Sequence, residues 1–215
     1  MTELDDRVGA KRVLRAGVRA AADGIAALGV TGLALALAPA VFAGEVLRWS
    51  VPWLPQLGLN FGFRMDGLAW LFVLLIGGIG ALVVLYAAWY LDPKDSAPRF
   101  FVFLLLFMGA MLGVVLADNL VLLVVFWELT SLSSFLLIGY WHSRNDAREG
   151  ARMALAITGA GGLCLLAGVL LLGHIAGSFQ LDAVFAAREA IQAHPQYLTA
   201  LVLILLGAFT KSAQV

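Results

Sequence analysis

Charge is what this sequence has least of. Asp, Glu, Lys and Arg make up only 13% of its 215 residues, against about a quarter in a soluble domain. The 14 basic and 14 acidic residues cancel, so no global field recruits nucleic acid. Cysteine is nearly absent too. Cys164 stands alone in an apolar run, which excludes an internal disulfide framework and leaves the redox compartment unreadable. The three histidines, at 142, 174 and 194, are scattered and give no metal-ligand spacing. No nucleophile triad, haem site or iron–sulfur ligand set is recognisable. Gly159, Gly161 and Gly162 lack the Lys-Ser/Thr that a phosphate loop needs. No cofactor or metal is therefore expected.

Apolar surface is what the chain has in excess. Hydrophobic residues reach 62% and the mean hydropathy is +0.94. So few polar residues cannot cover such a core in water, which makes lipid the solvent for most of the surface. The expected fold is all-α, a polytopic transmembrane helix bundle of about six spans. A spanning helix needs about 20 mostly apolar residues. Complete candidates are Gly24–Gly44, Leu68–Leu91, Phe100–Ala117, Asn119–Trp141 and Met153–Gly173, and a sixth begins near Tyr197. The third and fourth, read as one helix, would run roughly 60 Å, about twice the hydrocarbon core. A tight hairpin at Asp118-Asn119 is the better reading. Residues 1–22 form a basic N-terminal segment and 23–215 the transmembrane region.

Basic residues orient the spans. Arg7, Lys11, Arg12, Arg15, Arg19, Lys94, Arg99, Arg144, Arg148 and Arg152 fall on one side, and Arg48, Arg64 and Arg188 on the other. A cytoplasmic N-terminus in the inner membrane satisfies the positive-inside rule at every loop. Trp49, Trp53, Trp89, Tyr90, Tyr140 and Trp141 sit at span ends, where amphipathic rings favour headgroups. The basic stretch, the first apolar run and Val41-Phe42-Ala43 also fit a signal peptide, although the long leader argues for a retained span. Glu45–Gly67 and Ile175–Gln196 are read as outer polar loops, the second holding a short interfacial helix.

Glu128 is the sharpest chemical signal. It lies near the middle of the fourth span, where an ionisable group costs roughly 2.5–3.5 kcal/mol on insertion scales. Desolvation disfavours its charged form unless a cation is near, so its protonation can follow a neighbour's charge, as a proton relay requires. The competing role is a neutral structural carboxyl. Lys211, after the apolar run Tyr197–Thr210, needs a partner at such depth, and Glu128 is the acid deep inside a span. Its alternative is snorkelling from a short helix. Ser131 lies three residues from Glu128 on the same face and could hydrogen-bond it or hold water. The other hydroxyls of Thr130-Ser131-Leu132-Ser133-Ser134 equally suit helix packing. His142, at the mouth of the Glu128 helix, is a candidate proton collector or a plain interfacial histidine. Asp66 suits a helix cap, and Gly159, Gly161 and Gly162 form a small-residue packing face.

The stretch from Trp127-Glu128-Leu129-Thr130-Ser131 to Gly139-Tyr140-Trp141 resembles the fifth-helix motif of the A-type subunit of the multisubunit Mrp-type sodium/proton antiporters. Ala117-Asp118-Asn119-Leu120, Phe63-Arg64-Met65-Asp66-Gly67-Leu68 and Gly207-Ala208-Phe209-Thr210-Lys211-Ser212-Ala213-Gln214 are similar to further stretches of that family. The likeness runs from about Ala36 to Gln214, and its Thr-Ser-Leu-Ser-Ser context differs from the related membrane subunits of respiratory complex I. The resemblance implies that Glu128 and Lys211 are a proton-passing pair in a secondary transporter, not an enzyme. It further implies exchange of Na+ or K+ for protons and partner Mrp subunits of types B to G. Three departures stand out. Met1–Ala22 replaces the usual first helix, Arg152-Met153 stands where a Lys is often found, and family members continue long after Thr-Lys-Ser-Ala-Gln. An N-terminal fragment, a partial antiporter-like half, is therefore expected. The alternatives are a proton-pumping membrane subunit of a quinone- or hydrogenase-linked redox complex, or an inactive structural fragment. No oxygen-rich cage identifies the cation.

The orientation is testable. A cysteine at position 146 should react with a membrane-impermeant thiol reagent only from the cytoplasmic side; labelling from outside overturns it.

Overall fold

The computed structural model describes residues 24–54, 59–91 and 95–212. The basic segment 1–22, Lys94 and the Ala213-Gln214 pair lie outside the described residues. Five helices among the described residues are long and apolar enough to cross a membrane: α1 (Gly24–Phe42), α2 (Gly67–Tyr90), α3 (Ala97–Leu116), α4 (Leu120–Ile138) and α5 (Asn145–Ala176). Two short helices, α6 (Leu181–Ala186) and α7 (Arg188–Ala193), lead into α8 (Tyr197–Lys211). At 15 residues α8 is shorter than the other spans, and it starts where the sixth apolar run begins.

Successive long helices pack as neighbours, largely through glycines. Lipid gives no hydrophobic drive for helices to associate, so close backbone approach at small residues supplies the attraction. Thr31 of α1 meets Gly77 of α2, and Trp70 Nε1 donates 2.6 Å to the Ala34 carbonyl. Met108 of α3 fills the space at Gly80, and Phe126 of α4 the space at Gly113. On α5, Gly161 faces Thr210 and Gly168 faces Ile204 of α8, while Gly162 faces α4.

The Asp118-Asn119 hairpin is present. Asn119 caps α4, its Oδ1 accepting from the amides of Val121 (2.8 Å) and Leu122 (3.3 Å). Asp66 caps α2 as expected, accepting from the Ala69 amide at 2.9 Å.

Two loop readings are corrected. The chain is a polytopic helical bundle as expected, but Glu45–Gly67 is not merely polar loop and holds a small two-stranded ribbon. β1 (Leu47–Leu54) pairs antiparallel with β2 (Leu59–Met65), Leu47 opposite Met65 and Val51 opposite Phe61. Alternating Trp49, Val51, Phe61 and Phe63 fit a pleated ribbon, and a two-stranded ribbon with open edges is tolerable only outside the hydrocarbon. The charged stretch before the fifth span, expected to start at Met153, is also mostly helix. α5 begins at Asn145 and runs 32 residues, because nothing in Asn145–Arg152 breaks it. Its length, roughly 48 Å, carries the first turns beyond the hydrocarbon. α5 ends at Gly177, whose φ of 69° is left-handed and suits a residue without a Cβ. The expected interfacial helix is two helices, which lower Val184 and Ile191 onto Leu120, Val124, Leu165 and Val169.

The α3–α4 turn is held from both sides at this end. The Asp118 amide donates to the Gly62 carbonyl (3.1 Å), and its carbonyl accepts from Leu181 (3.1 Å). Asp182 binds Arg48 (2.5 Å) and Arg64 (3.0 Å), and Arg64 reaches Asp66 (3.4 Å). Asp118 Oδ1 is buried there without a hydrogen bond. Burial pushes the Asp118 carboxyl above the usual carboxylate range, helped by Asp182 and opposed by Arg48 and Arg64. Its folded form binds a proton more tightly than its unfolded form, so stability falls as pH rises through that window. Asp118→Asn should raise the thermal midpoint of the detergent-solubilised protein at pH 7. The gain should vanish once the medium is acidic enough to protonate the unfolded carboxyl too.

Candidate functional site

Glu128 is the ninth of nineteen residues of α4, which places it near mid-span. Its Oε1 is buried without a hydrogen-bond partner. It lies against the α5 backbone, where a methyl group on Gly162 would overlap it. The carboxyl thus faces the bundle and not lipid, as the cost of a lipid-facing charge requires.

Lys211, the last residue of α8, reaches across to α4. Its Nζ donates 2.6 Å to Ser131 Oγ and lies 5.7 Å from the centre of the Trp127 ring. A desolvated ammonium gains from a hydroxyl acceptor and from an aromatic face. No ion pair within 4.0 Å joins Glu128 and Lys211 among the described residues. They are nonetheless neighbours, since the lysine's acceptor, Ser131, lies one helical turn from Glu128. Of the residues singled out from the sequence, Lys211 and Ser131 meet directly, with Ser131 taking the ammonium.

The remaining hydroxyls of this stretch turn back on their own helix. Thr130 donates to the Trp127 carbonyl (2.7 Å) and Ser133 to the Leu129 carbonyl (2.7 Å). That is the packing role open to them from the sequence. Ser131 differs, because its contact with the Trp127 carbonyl is long, 3.5 Å, and its lone pairs are free for Lys211.

His142 is not part of this cluster. It is exposed, beyond the far end of α4, with Nδ1 3.3 Å from an Arg99 guanidinium nitrogen. Arginine only donates, so this contact is a hydrogen bond when Nδ1 is unprotonated. The same Arg99 nitrogen donates 2.6 Å to the Tyr140 carbonyl, and the guanidinium lies 5.1 Å from the Tyr140 ring centre.

Trp127 and Gly162 went unremarked as site residues in the sequence. The glycine was legible only as part of a packing face; which neighbour it faces depends on the α4–α5 crossing. No group of three His, Cys, Asp or Glu that could hold a metal occurs among the described residues. The arrangement offers proton chemistry: a carboxyl that can bind and release a proton, a hydroxyl that donates and accepts, and an ammonium whose position sets the local field.

Comparison with known proteins places this geometry in context. The family described as "NADH:quinone oxidoreductase/Mrp antiporter, TM" matches residues 117–215, and "NADH-Ubiquinone oxidoreductase (complex I), chain 5 N-terminus" matches 53–101. The chain is 61% identical over 178 residues to a probable K(+)/H(+) antiporter subunit (type A/B) of Rhizobium meliloti (strain 1021), covering 83% of this chain and 18% of that protein. It is 50% identical over 172 residues to an Na(+)/H(+) antiporter subunit (type A) of Alkalihalophilus pseudofirmus, covering 80% and 21%. Its fold matches a chain in the Mrp complex from Dietzia sp. DQ12-45-1b with a TM-score of 0.77 and 32% identity, over 95% of this chain and 24% of that one. The chain thus spans about a fifth of the length of these curated relatives.

Ser131→Ala should leave the Lys211 ammonium without its hydroxyl acceptor. A hydrogen bond to a charged group contributes about 1.5–3 kcal/mol, so the thermal midpoint in detergent should fall measurably. Ser133→Ala, which removes only a bond within its own helix, should change it far less.

Proposed function

This chain belongs to the NADH:quinone oxidoreductase/Mrp antiporter family of membrane proteins, and from that premise we propose that it serves a monovalent cation/proton antiporter. In this reading it is part of a secondary transporter subunit that exchanges Na+ or K+ for protons. Glu128 binds and releases the proton. Lys211 sets whether the carboxyl is held charged or neutral, and Ser131 is the hydroxyl on which the ammonium rests between the two. The partners are the other subunits of such a complex, types B to G. The location is the inner membrane, with the N-terminus cytoplasmic and the β1–β2 hairpin facing outward.

The observation that carries the reading is the mid-span cluster. An acid and a base from different helices meet at one buried serine, the base bonded to it and the acid one helical turn away. Two ionisable groups cost less together than apart in lipid, and a coupled pair can trade charge states when a third charge approaches. The curated relatives named above are both antiporter subunits, which favours exchange over a redox-coupled pump.

Glu128→Gln keeps shape and hydrogen bonding but removes the titrating proton. In the assembled complex it should lower coupled exchange in inverted vesicles by about a hundredfold or more, the lower bound expected when a positioned acid–base group is lost. Membrane insertion should be unchanged. Lys211→Ala should do the same, and the double change should cost little more than either alone. Near-normal exchange by Glu128→Gln would return that residue to a structural role.

A further inference from the structure

Gly162 stands apart from the other glycines at the helix crossings. A methyl group on Gly161 would meet Thr210, on Gly168 Ile204, on Gly207 Leu165 and on Gly113 Phe126. Those spaces are filled by packing side chains. At Gly162 the three nearest atoms all belong to the Glu128 carboxyl: Oε1, Cδ and Oε2. Oε1 is buried and has no donor, because at that point α5 presents only helix backbone, whose amides are already used within the helix.

We infer that Gly162 is a positioning residue: its missing side chain is the notch that receives Glu128 Oε1, shields it from donors and holds the carboxyl apart from Lys211. This inference rests on the relay reading of Glu128. It adds a structural cause for why the carboxyl and the ammonium, though neighbours, form no ion pair. With one oxygen lodged in α5, the carboxyl does not swing freely onto the ammonium, and Lys211 settles on Ser131 and Trp127 instead. Leaving the notch is then the movement that brings acid and base together. From α8 the charged group at this junction is Lys211, bonded to Ser131 one turn from Glu128. α5 offers no acid or base at the contact, Cys164 lying two residues on. α3, on the other side of α4, carries only Arg99, in its first turn.

The group in the way of a new methyl is the end of a flexible side chain, and alanine favours helix over glycine. Gly162→Ala should therefore fold and assemble, with its carboxyl displaced toward Ser131 and Lys211. In inverted vesicles carrying the assembled complex, the pH profile of cation/proton exchange should move toward acid. A shift of about half a pH unit or more is expected, about threefold in proton affinity. Glu128→Asp, which withdraws the oxygen without touching α5, should move it the same way, and the double variant should shift no further than either single one. Gly168→Ala, a packing change far from Glu128, should lower thermal stability and leave the pH profile in place. An unmoved profile in Gly162→Ala overturns the inference, as does an equal shift in Gly168→Ala. Infrared difference spectra separate its failure from that of the relay reading. The carboxylic C=O band that Glu128→Gln removes should change frequency in Gly162→Ala, whether or not Glu128 proves necessary for exchange.

Discussion

The approach of α5 to its two neighbours, made possible where α5 has no side chains, governs the middle of this bundle. In lipid, helices gain little by hiding apolar surface from each other and much by letting backbones come close. Gly161 and Gly168 open one face of α5 to α8, and Gly162 opens another to α4. α8 is thereby drawn so near that a lysine at its last turn reaches a serine on α4. Side chains well beyond the size of alanine at these positions would set the three helices further apart and leave the acid and the base in separate apolar surroundings.

Polar groups elsewhere in the spans are satisfied close to home. Thr31, Thr130, Ser133, Thr158 and Thr210 each return a hydrogen bond to a carbonyl of their own helix. Among the described residues, the buried side-chain atoms left without partners gather along α4. Asp118 Oδ1, Asn119 Nδ2 and Arg64 Nε lie at its start, Trp127 Nε1 and Glu128 Oε1 at its middle, and Tyr140 OH and Arg99 Nε at its end. Buried polar atoms are nearly always paired in folded proteins. Their concentration along one helix, at three depths, sets α4 apart from helices whose polar atoms serve packing alone.

The spans were legible because lipid imposes a length and a composition that sequence shows directly. The hairpin at Asp118-Asn119 followed from helix rise and membrane thickness. The β ribbon did not, since its alternation covers only a few residues on each strand and lies within a Pro- and Gly-containing loop. The start of α5 was missed because charge at Asp146, Arg148, Glu149 and Arg152 ends a hydrophobic run without ending a helix. Glu128, Lys211 and Ser131 could be singled out by the cost of burying them and by one helical turn of spacing. What sequence spacing could not supply was the crossing of α4, α5 and α8. That crossing decides that Lys211 meets Ser131 and that His142 sits with Arg99 instead, at the far end.

The fastening of α4 at both ends bears on how such a bundle can move. At one end its entering turn is stitched by backbone hydrogen bonds to β2 and to the segment before α6, the Leu120 amide reaching Phe179 at 2.9 Å as well. At the other, Arg99 of α3 grips the Tyr140 carbonyl. A rod pinned at two points neither slides nor pistons. In the proposed relay the travel at its centre then belongs to side chains, a carboxyl turning on two methylenes and an ammonium swinging on four, a pair of levers against a fixed post.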